Sequence, residues 1–106
     1  MSKIIKIAVD AMGGDNSPKK IIDGINHHYK SNANTFYQIF GDKEKIQNYI
    51  NQLPTSSFEI IHTKDLVKGT DSPLEGAKRG KNTSMWLAIQ SVKEKKSDIV
   101  ISAGNT

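Results

Sequence analysis

The sequence predicts an α/β fold built on a parallel sheet. Four short runs of β-branched and aromatic residues alternate with three stretches that carry apolar residues at helical spacing. This alternation is typical of parallel strands joined by right-handed helical crossovers. In addition, the turn at residues 10–18 stops a strand at a carboxylate, passes through paired glycines and leads into a helix. Such a turn places N–H groups and acidic side chains at the carboxyl end of a strand, where ligands bind in open sheets.

Four strands are predicted, each from a run of residues with high β propensity. They cover residues 4–9, 36–40, 58–62 and 98–102. The last of them contains Ile99, Val100 and Ile101 in succession, which predicts a strand that is buried on both faces.

The first predicted helix follows the glycine turn. Ser17 is its expected N-cap, and Pro18 suits the first helical position. An apolar face is formed at helical spacing by Ile21, Ile25 and Tyr29.

The second predicted helix is capped by Asp42 after Gly41 and ends before Pro54. Its side toward the sheet is expected to carry Ile46, Tyr49, Ile50 and Leu53.

The third predicted helix begins near Thr83. Its phase places Trp86 on the exposed or dimer-facing side. The inward side is expected to carry Met85, Ala88, Ile89 and Val92. Between residues 63 and 83 the periodicity fades, which favours a functional loop that contains the basic segment 78–81.

Composition restricts the class of protein. The 106 residues suffice for one small domain, and the absence of cysteine excludes a disulfide framework and a thiolate zinc site. No apolar run approaches the roughly 20 residues of a membrane span. The net charge of +4 favours anionic partners in general, but Arg79 is the only arginine, which disfavours nucleic-acid binding.

The glycine turn is the first part of the candidate site. Gly13 and Gly14 permit either a tight turn alone or the close approach of a ligand. Asp10 and Asp15 can orient donors or accept a proton, and each can equally be a structural cap or Asx turn. The sequence leaves both alternatives open.

The start of the third helix is the second part of the candidate site. Lys81, Thr83 and Ser84 can hold a phosphate there, or the segment can be a Ser/Thr helix cap beside a solvated lysine. No Walker A or dinucleotide-binding glycine motif is present. His27, His28 and His62 lack a metal-ligand spacing, and no serine elbow or cysteine supplies a covalent nucleophile. No metal and no cofactor are therefore expected.

Three segments together resemble the bacterial phosphate acyltransferases of the PlsX family. They are residues 7–18, 81–85 and 101–106, in matching order and spacing, and the resemblance covers essentially the whole chain. It implies a Rossmann-like three-layer α/β/α fold, here truncated after about the fourth strand. Residues 1–106 are then the N-terminal part of a single acyltransferase domain whose remainder is absent, so that the fragment alone is expected to be inactive.

The resemblance also implies an activity and its partners. Such an enzyme moves a fatty acyl group from acyl carrier protein to inorganic phosphate and yields an acyl phosphate for phospholipid synthesis. It is expected to be a cytoplasmic homodimer that associates with the inner face of the membrane. Carried onto this chain, the resemblance implies catalytic roles for Asp15 and Asn105. Substrate or phosphate contacts are implied for Gly13, Gly14, Asn16, Lys81, Ser84, Ser102, Gly104 and Thr106.

A second hypothesis is a non-catalytic phosphate- or nucleotide-binding module that docks an acidic partner through the basic segment 78–81. Affinity for nucleotides without affinity for acyl carrier protein would favour this module.

Overall fold

A four-stranded parallel sheet forms the centre of the molecule in the computed structural model, which describes residues 3–14, 16–63 and 83–102. The strands are β1 (Ile5–Asp10), β2 (Thr35–Gly41), β3 (Phe58–His62) and β4 (Ile99–Ser102), in the order β3-β2-β1-β4. All three pairings are parallel. The predicted α/β class and the four predicted strands are therefore confirmed.

One helix covers each face of the sheet. Helix α1 (Lys19–Ser31) packs Ile22 and Ile25 into the core cluster that contains Val9 and Ile39. The helix Ser84–Lys93, here α3, packs Ala88 against the opposite face. Because side chains alternate along a strand, Ile7 and Val9 face α1, whereas Ala8 and Asp10 face α3. The three-layer arrangement that the resemblance implied is thus present among the described residues.

The start of α1 differs from the prediction. Pro18 is the N-cap residue, and no side chain caps the helix there. The hydroxyl of Ser17 donates instead to the carbonyl oxygen of Gly13. The helix begins one residue later than predicted, so Ser17 precedes the N-cap position and does not cap the helix as expected.

Helix α2 (Lys43–Gln47) is shorter than the predicted helix. Its cap is as predicted, since the Asp42 carboxylate accepts the backbone N–H of Glu44 at 3.1 Å. The backbone N–H of Tyr49 bonds to the carbonyl oxygen of Ile46, which closes the last turn. The apolar residues beyond this point still pack on the core, although from a non-helical segment: Tyr49, Ile50 and Leu53.

Two predictions of burial are wrong. Ile89 is 50% exposed, because α3 directs Ala88 toward the sheet and Ile89 away from it. In β4, Ile99, Val100 and Ile101 are exposed by 48%, 38% and 48%. Among the described strands β4 pairs only with β1, so it forms an edge of the sheet. Trp86 is 37% exposed, in line with its predicted position.

Residues 64–82, which contain the predicted loop and its basic segment, lie outside the described residues. Within the described ranges, no helix combines the length and apolar character needed to cross a membrane.

Candidate functional site

A buried carboxylate connects three parts of the chain at the carboxyl edge of the sheet. Asp10 ends β1 and is only 1% exposed. Its Oδ1 accepts the Ser84 hydroxyl at 2.5 Å, and its Oδ2 accepts the Ser102 hydroxyl at 2.7 Å. Ser84 begins α3 and Ser102 ends β4. One carboxylate therefore holds the start of a helix and the ends of two strands together.

The same carboxylate also shapes the turn that follows it. Oδ1 of Asp10 accepts the backbone N–H of Met12 at 3.1 Å, which is the hydrogen bond of an Asx turn. The two interpretations that the sequence left open for Asp10 are thus both realised, because it forms a turn and orients hydroxyl donors. Since both oxygens accept hydrogen bonds, we interpret Asp10 as a positioning residue.

The glycine turn requires residues that tolerate a left-handed backbone. Gly14 has φ of 82° and Asn16 has φ of 62°. Glycine adopts this conformation without steric cost, and asparagine tolerates it better than most residues. Gly13 is buried, whereas Gly14 and Asn16 are exposed at the edge of the sheet. The carbonyl oxygen of Asn16 accepts the N–H of Lys20, which connects this turn to α1.

The end of β2 closely supports the first turn. A Cβ atom built on Gly41 would lie 2.7 Å from Cγ and 2.9 Å from Sδ of Met12. The carbonyl oxygen of Gly41 accepts the backbone N–H of Thr63, the residue after β3, at 2.9 Å. The ring of His62 is fixed as well, because its Nδ1 accepts the backbone N–H of Lys43 at 3.0 Å. Turns from three strands are therefore packed against one another along this edge.

Among the predicted site residues that the structure describes, two are joined by hydrogen bonds to one carboxylate. Ser84 and Ser102 meet at Asp10, and the turn that contains Gly13, Gly14 and Asn16 begins two residues beyond that carboxylate. The other predicted site residues lie outside the described residues, and their roles stay predictions: Asp15, Lys81, Gly104, Asn105 and Thr106.

Helix α3 adds donors for an anion at this edge. Thr83 is its N-cap, and the Thr83 hydroxyl oxygen accepts the N–H of Trp86 at 3.1 Å. The first N–H groups of a helix have no partner within the helix and carry a partial positive charge. The arrangement therefore suits an anionic group. In the part of the chain that the structure describes, no group of three or more potential ligands is placed to hold a metal ion.

A polar cluster beneath α3 was not predicted from the sequence. Oε1 of Gln38 accepts the hydroxyls of Ser91 and Ser97, the latter at 2.7 Å, and these hydroxyls lie 2.8 Å apart. Ser91 is 4% and Ser97 5% exposed. The available signal was a glutamine at an inward position of a strand that is otherwise aromatic and β-branched. We interpret this cluster as structural, since it seats the end of α3 on β2.

Comparisons with known proteins identify the family. The family model described as "Fatty acid synthesis protein" matches residues 5–106. A phosphate acyltransferase of Pelagibacter ubique (strain HTCC1062) is 99% identical over 106 residues, which are the whole chain and 32% of that protein. Phosphate acyltransferases of Streptococcus uberis and Streptococcus pyogenes serotype M5 are 46% and 44% identical over 101 residues, which are 95% of this chain and 30% of each relative. The chain thus spans about a third of the length of these relatives. It belongs to the fatty acid synthesis protein family, and the resemblance drawn from its motifs is confirmed.

Proposed function

We propose that this chain, as a member of the fatty acid synthesis protein family, is the N-terminal part of an enzyme that transfers a fatty acyl group from acyl carrier protein to inorganic phosphate. The family description supports fatty acid metabolism, and the name of the relatives supports an acyl transfer to phosphate.

The proposed reaction needs little covalent chemistry from the protein. An oxygen of hydrogen phosphate attacks the carbonyl carbon of the thioester, the carbon–sulfur bond breaks, and the carrier thiolate leaves and takes up the proton that the phosphate releases. Acyl phosphate and free carrier thiol are the products. The main requirements are the positioning of two anionic reactants and donors for the developing oxyanion.

The observation that carries the proposal is the contact of Asp10 with both Ser84 and Ser102. This contact fixes the first turn of α3 beside the glycine turn. Backbone N–H groups of both segments therefore lie at the carboxyl edge of the sheet. Each serine hydroxyl directs its proton to Asp10. We therefore propose that phosphate is met by backbone N–H groups of the first turn of α3 and that the serine side chains hold this turn in place.

The remaining sequence-based roles are part of the same proposal. We assign Asp15 and Asn105 as catalytic candidates, with Lys81, Gly104 and Thr106 as contacts to phosphate. The motifs that contain them border the described site, since Asp15 follows Gly14 directly and Gly104 lies two residues after Ser102.

The test uses a full-length chimera, in which this chain replaces the segment that it matches in the Pelagibacter ubique relative. We expect phosphate-dependent consumption of an acyl carrier protein thioester and an acyl phosphate that hydroxylamine traps as a hydroxamate. Omission of phosphate is the control. If the chimera folds and the thioester is stable with phosphate present, the proposed activity is wrong.

Two variants of the chimera test the catalytic candidates. Asp15→Asn and Asn105→Ala are each expected to lower turnover while the melting temperature stays unchanged. If a variant retains the full rate, the residue that it replaces has no catalytic role.

The assembly and location are proposals as well. We propose a cytoplasmic homodimer, supported by the exposed Trp86 and Ile89 on α3, and a peripheral association with the inner face of the membrane. Light scattering of the chimera tests the dimer. Sedimentation with anionic vesicles tests the association, which is wrong if the chimera stays in the supernatant.

A further inference from the structure

Two serine hydroxyls at the site direct their protons to one carboxylate. The hydroxyls of Ser84 and Ser102 both donate to Asp10, one to each carboxylate oxygen. A hydroxyl has one proton and two lone pairs, and an ionised carboxylate is an acceptor only. Because each serine proton is used in the bond to Asp10, the two hydroxyl oxygens are acceptors, and not donors, toward any other group.

Ser102 is the member of this pair that a ligand reaches from solvent. Ser84 is only 1% exposed, whereas Ser102 is an exposed residue at the carboxyl end of β4. Both hydroxyls bond to the same carboxylate, so Ser102 lies beside the residue that begins α3. The first N–H groups of that helix are the proposed donors to phosphate. The site thus combines donors from a helix with an outward acceptor from a strand.

The buried charge of Asp10 decides which kind of oxygen fits beside Ser102. Asp10 is 1% exposed, so its charge is poorly screened by water. A ligand oxygen that carries negative charge and no proton would meet a lone pair of Ser102 with the Asp10 carboxylate behind it, and both repel such an oxygen. An oxygen that carries a proton donates to Ser102 instead. The position beside Ser102 therefore favours a protonated oxygen of the ligand.

We propose that Ser102 selects phosphate by its proton. Its hydroxyl oxygen accepts the P–OH group of hydrogen phosphate, while the unprotonated oxygens of the same ion face the N–H groups of α3. This inference rests on the proposed function and deepens it, because it states which form of phosphate binds and how the ion is oriented. It also names the ions that the site rejects, which are tetrahedral dianions without a proton, such as sulfate and monofluorophosphate.

The first experiment compares anions on the unaltered full-length chimera by calorimetric titration at neutral pH. Hydrogen phosphate is expected to bind at least about tenfold more tightly than sulfate or monofluorophosphate, which lack the hydrogen bond and are repelled. Hydrogen arsenate, which carries an As–OH group in the same geometry, should bind as hydrogen phosphate does. Equal affinity for hydrogen phosphate, sulfate and monofluorophosphate would overturn the inference. This comparison does not depend on the folding of any variant.

The second experiment assigns the selectivity to Ser102. Ser102→Ala removes the acceptor, so the affinity for hydrogen phosphate should fall about tenfold while the affinity for sulfate stays the same or rises. Ser102→Thr is the matched control, because threonine retains the hydroxyl and suits a strand, and it should retain the selectivity. If Ser102→Ala weakens both ions by the same factor, Ser102 only supports the site and the inference is wrong.

Catalysis gives an independent readout of the same contact. In the acyl transfer assay, Ser102→Ala should raise the KM for phosphate about tenfold with little change in kcat, as expected for a contact that binds the substrate and its transition state equally. Sulfate should inhibit this variant more strongly relative to phosphate than it inhibits the parent. A variant with the parent's KM for phosphate would contradict the role of Ser102.

The two proposals fail in different ways. A chimera that prefers hydrogen phosphate to sulfate through Ser102 but transfers no acyl group contradicts the proposed activity alone. A chimera that forms acyl phosphate but binds the two ions equally contradicts the role of Ser102 alone.

Discussion

The Asp10 carboxylate accepts the Ser102 hydroxyl at 2.7 Å, and the two residues are direct neighbours in the β1–β4 ladder. Their side chains share the face of the sheet on which α3 begins. The hydroxyl of Ser84 completes the set from the helix side. Three segments that are far apart in the chain are thus oriented by one buried charged group.

Removal of this carboxylate should strongly destabilise the chain. Asp10→Ala leaves the buried Ser84 hydroxyl and the Met12 N–H without their acceptor, and each such group costs about 1–3 kcal/mol. We expect a loss of about 3 kcal/mol in the free energy of unfolding, measured by urea denaturation. Asp23→Ala is the matched control, because the exposed ion pair of Asp23 with Lys19 contributes less than about 1 kcal/mol. Similar losses for both variants would contradict the positioning role of Asp10.

Gly41 should tolerate no side chain while Met12 is present. Gly41→Ala places its Cβ against Cγ and Sδ of Met12, and such overpacking costs about 1–3 kcal/mol. The Met12→Ala change removes those atoms, so the double variant should be more stable than the sum of the two single effects predicts. Urea denaturation of the four proteins measures this coupling. Strict additivity would mean that the two residues do not press on each other.

The cap of α3 depends on a hydroxyl oxygen. Thr83→Ala removes the acceptor for the N–H of Trp86 and is expected to cost about 1 kcal/mol. Thr83→Ser retains the oxygen and should recover most of this loss. Thermal unfolding followed by circular dichroism distinguishes the two variants. Equal melting temperatures for alanine and serine would show that the hydroxyl is not the relevant group.

Loss of one member of the polar cluster beneath α3 should destabilise the chain more than replacement of all three members. Gln38→Met leaves the buried hydroxyls of Ser91 and Ser97 without their common acceptor, with an expected loss of about 2 kcal/mol. Combining it with Ser91→Ala and Ser97→Ala removes the unpaired groups and should restore most of the stability. A triple variant that is less stable than Gln38→Met would contradict this interpretation.

Stability at high pH should depend on Tyr37. Burial raises the pKa of its phenol above the ordinary value of 10.0, partly offset by a hydrogen bond with Thr35. The native state therefore retains this proton more strongly than the unfolded chain does. The resulting stability is complete below pH 10 and is lost as the pH rises through the native pKa. We therefore compare the parent and Tyr37→Phe by urea denaturation between pH 9 and pH 12, a range from about one unit below to two units above the ordinary tyrosine pKa. Over this range the free energy of unfolding should fall less in Tyr37→Phe than in the parent.

The sequence was most informative where local patterns decide the structure. Runs of β-branched and aromatic residues located all four strands. The Asp42 cap was predicted correctly because its carboxylate bonds to the N–H of Glu44, only two residues away. The apolar run in β4 predicted burial on both faces, but Ile99 and Ile101 are exposed because, among the described strands, β4 pairs only with β1. Ser17 is not the cap because α1 begins at Lys19, one residue later than predicted, so that Pro18 occupies the N-cap position.

The candidate site was predictable only in outline. The rule that parallel strands end at a common edge brought residues 10–14 and Ser102 together. It did not reveal that Asp10 would use both oxygens on Ser84 and Ser102, because partners 74 and 92 positions away are fixed by packing and not by local spacing.

The reach of Asp10 has a consequence for how the protein is made. A ribosome releases β1 and its turn early, but the second hydroxyl partner of that carboxylate is Ser102, which is added 92 residues later. Until then the end of β1 carries a charge with incomplete pairing, which favours contact with water over burial. Closure of this edge must therefore wait for the synthesis of β4, and a nascent chain stalled before β4 should be far more accessible to proteases there than one in which β4 has formed.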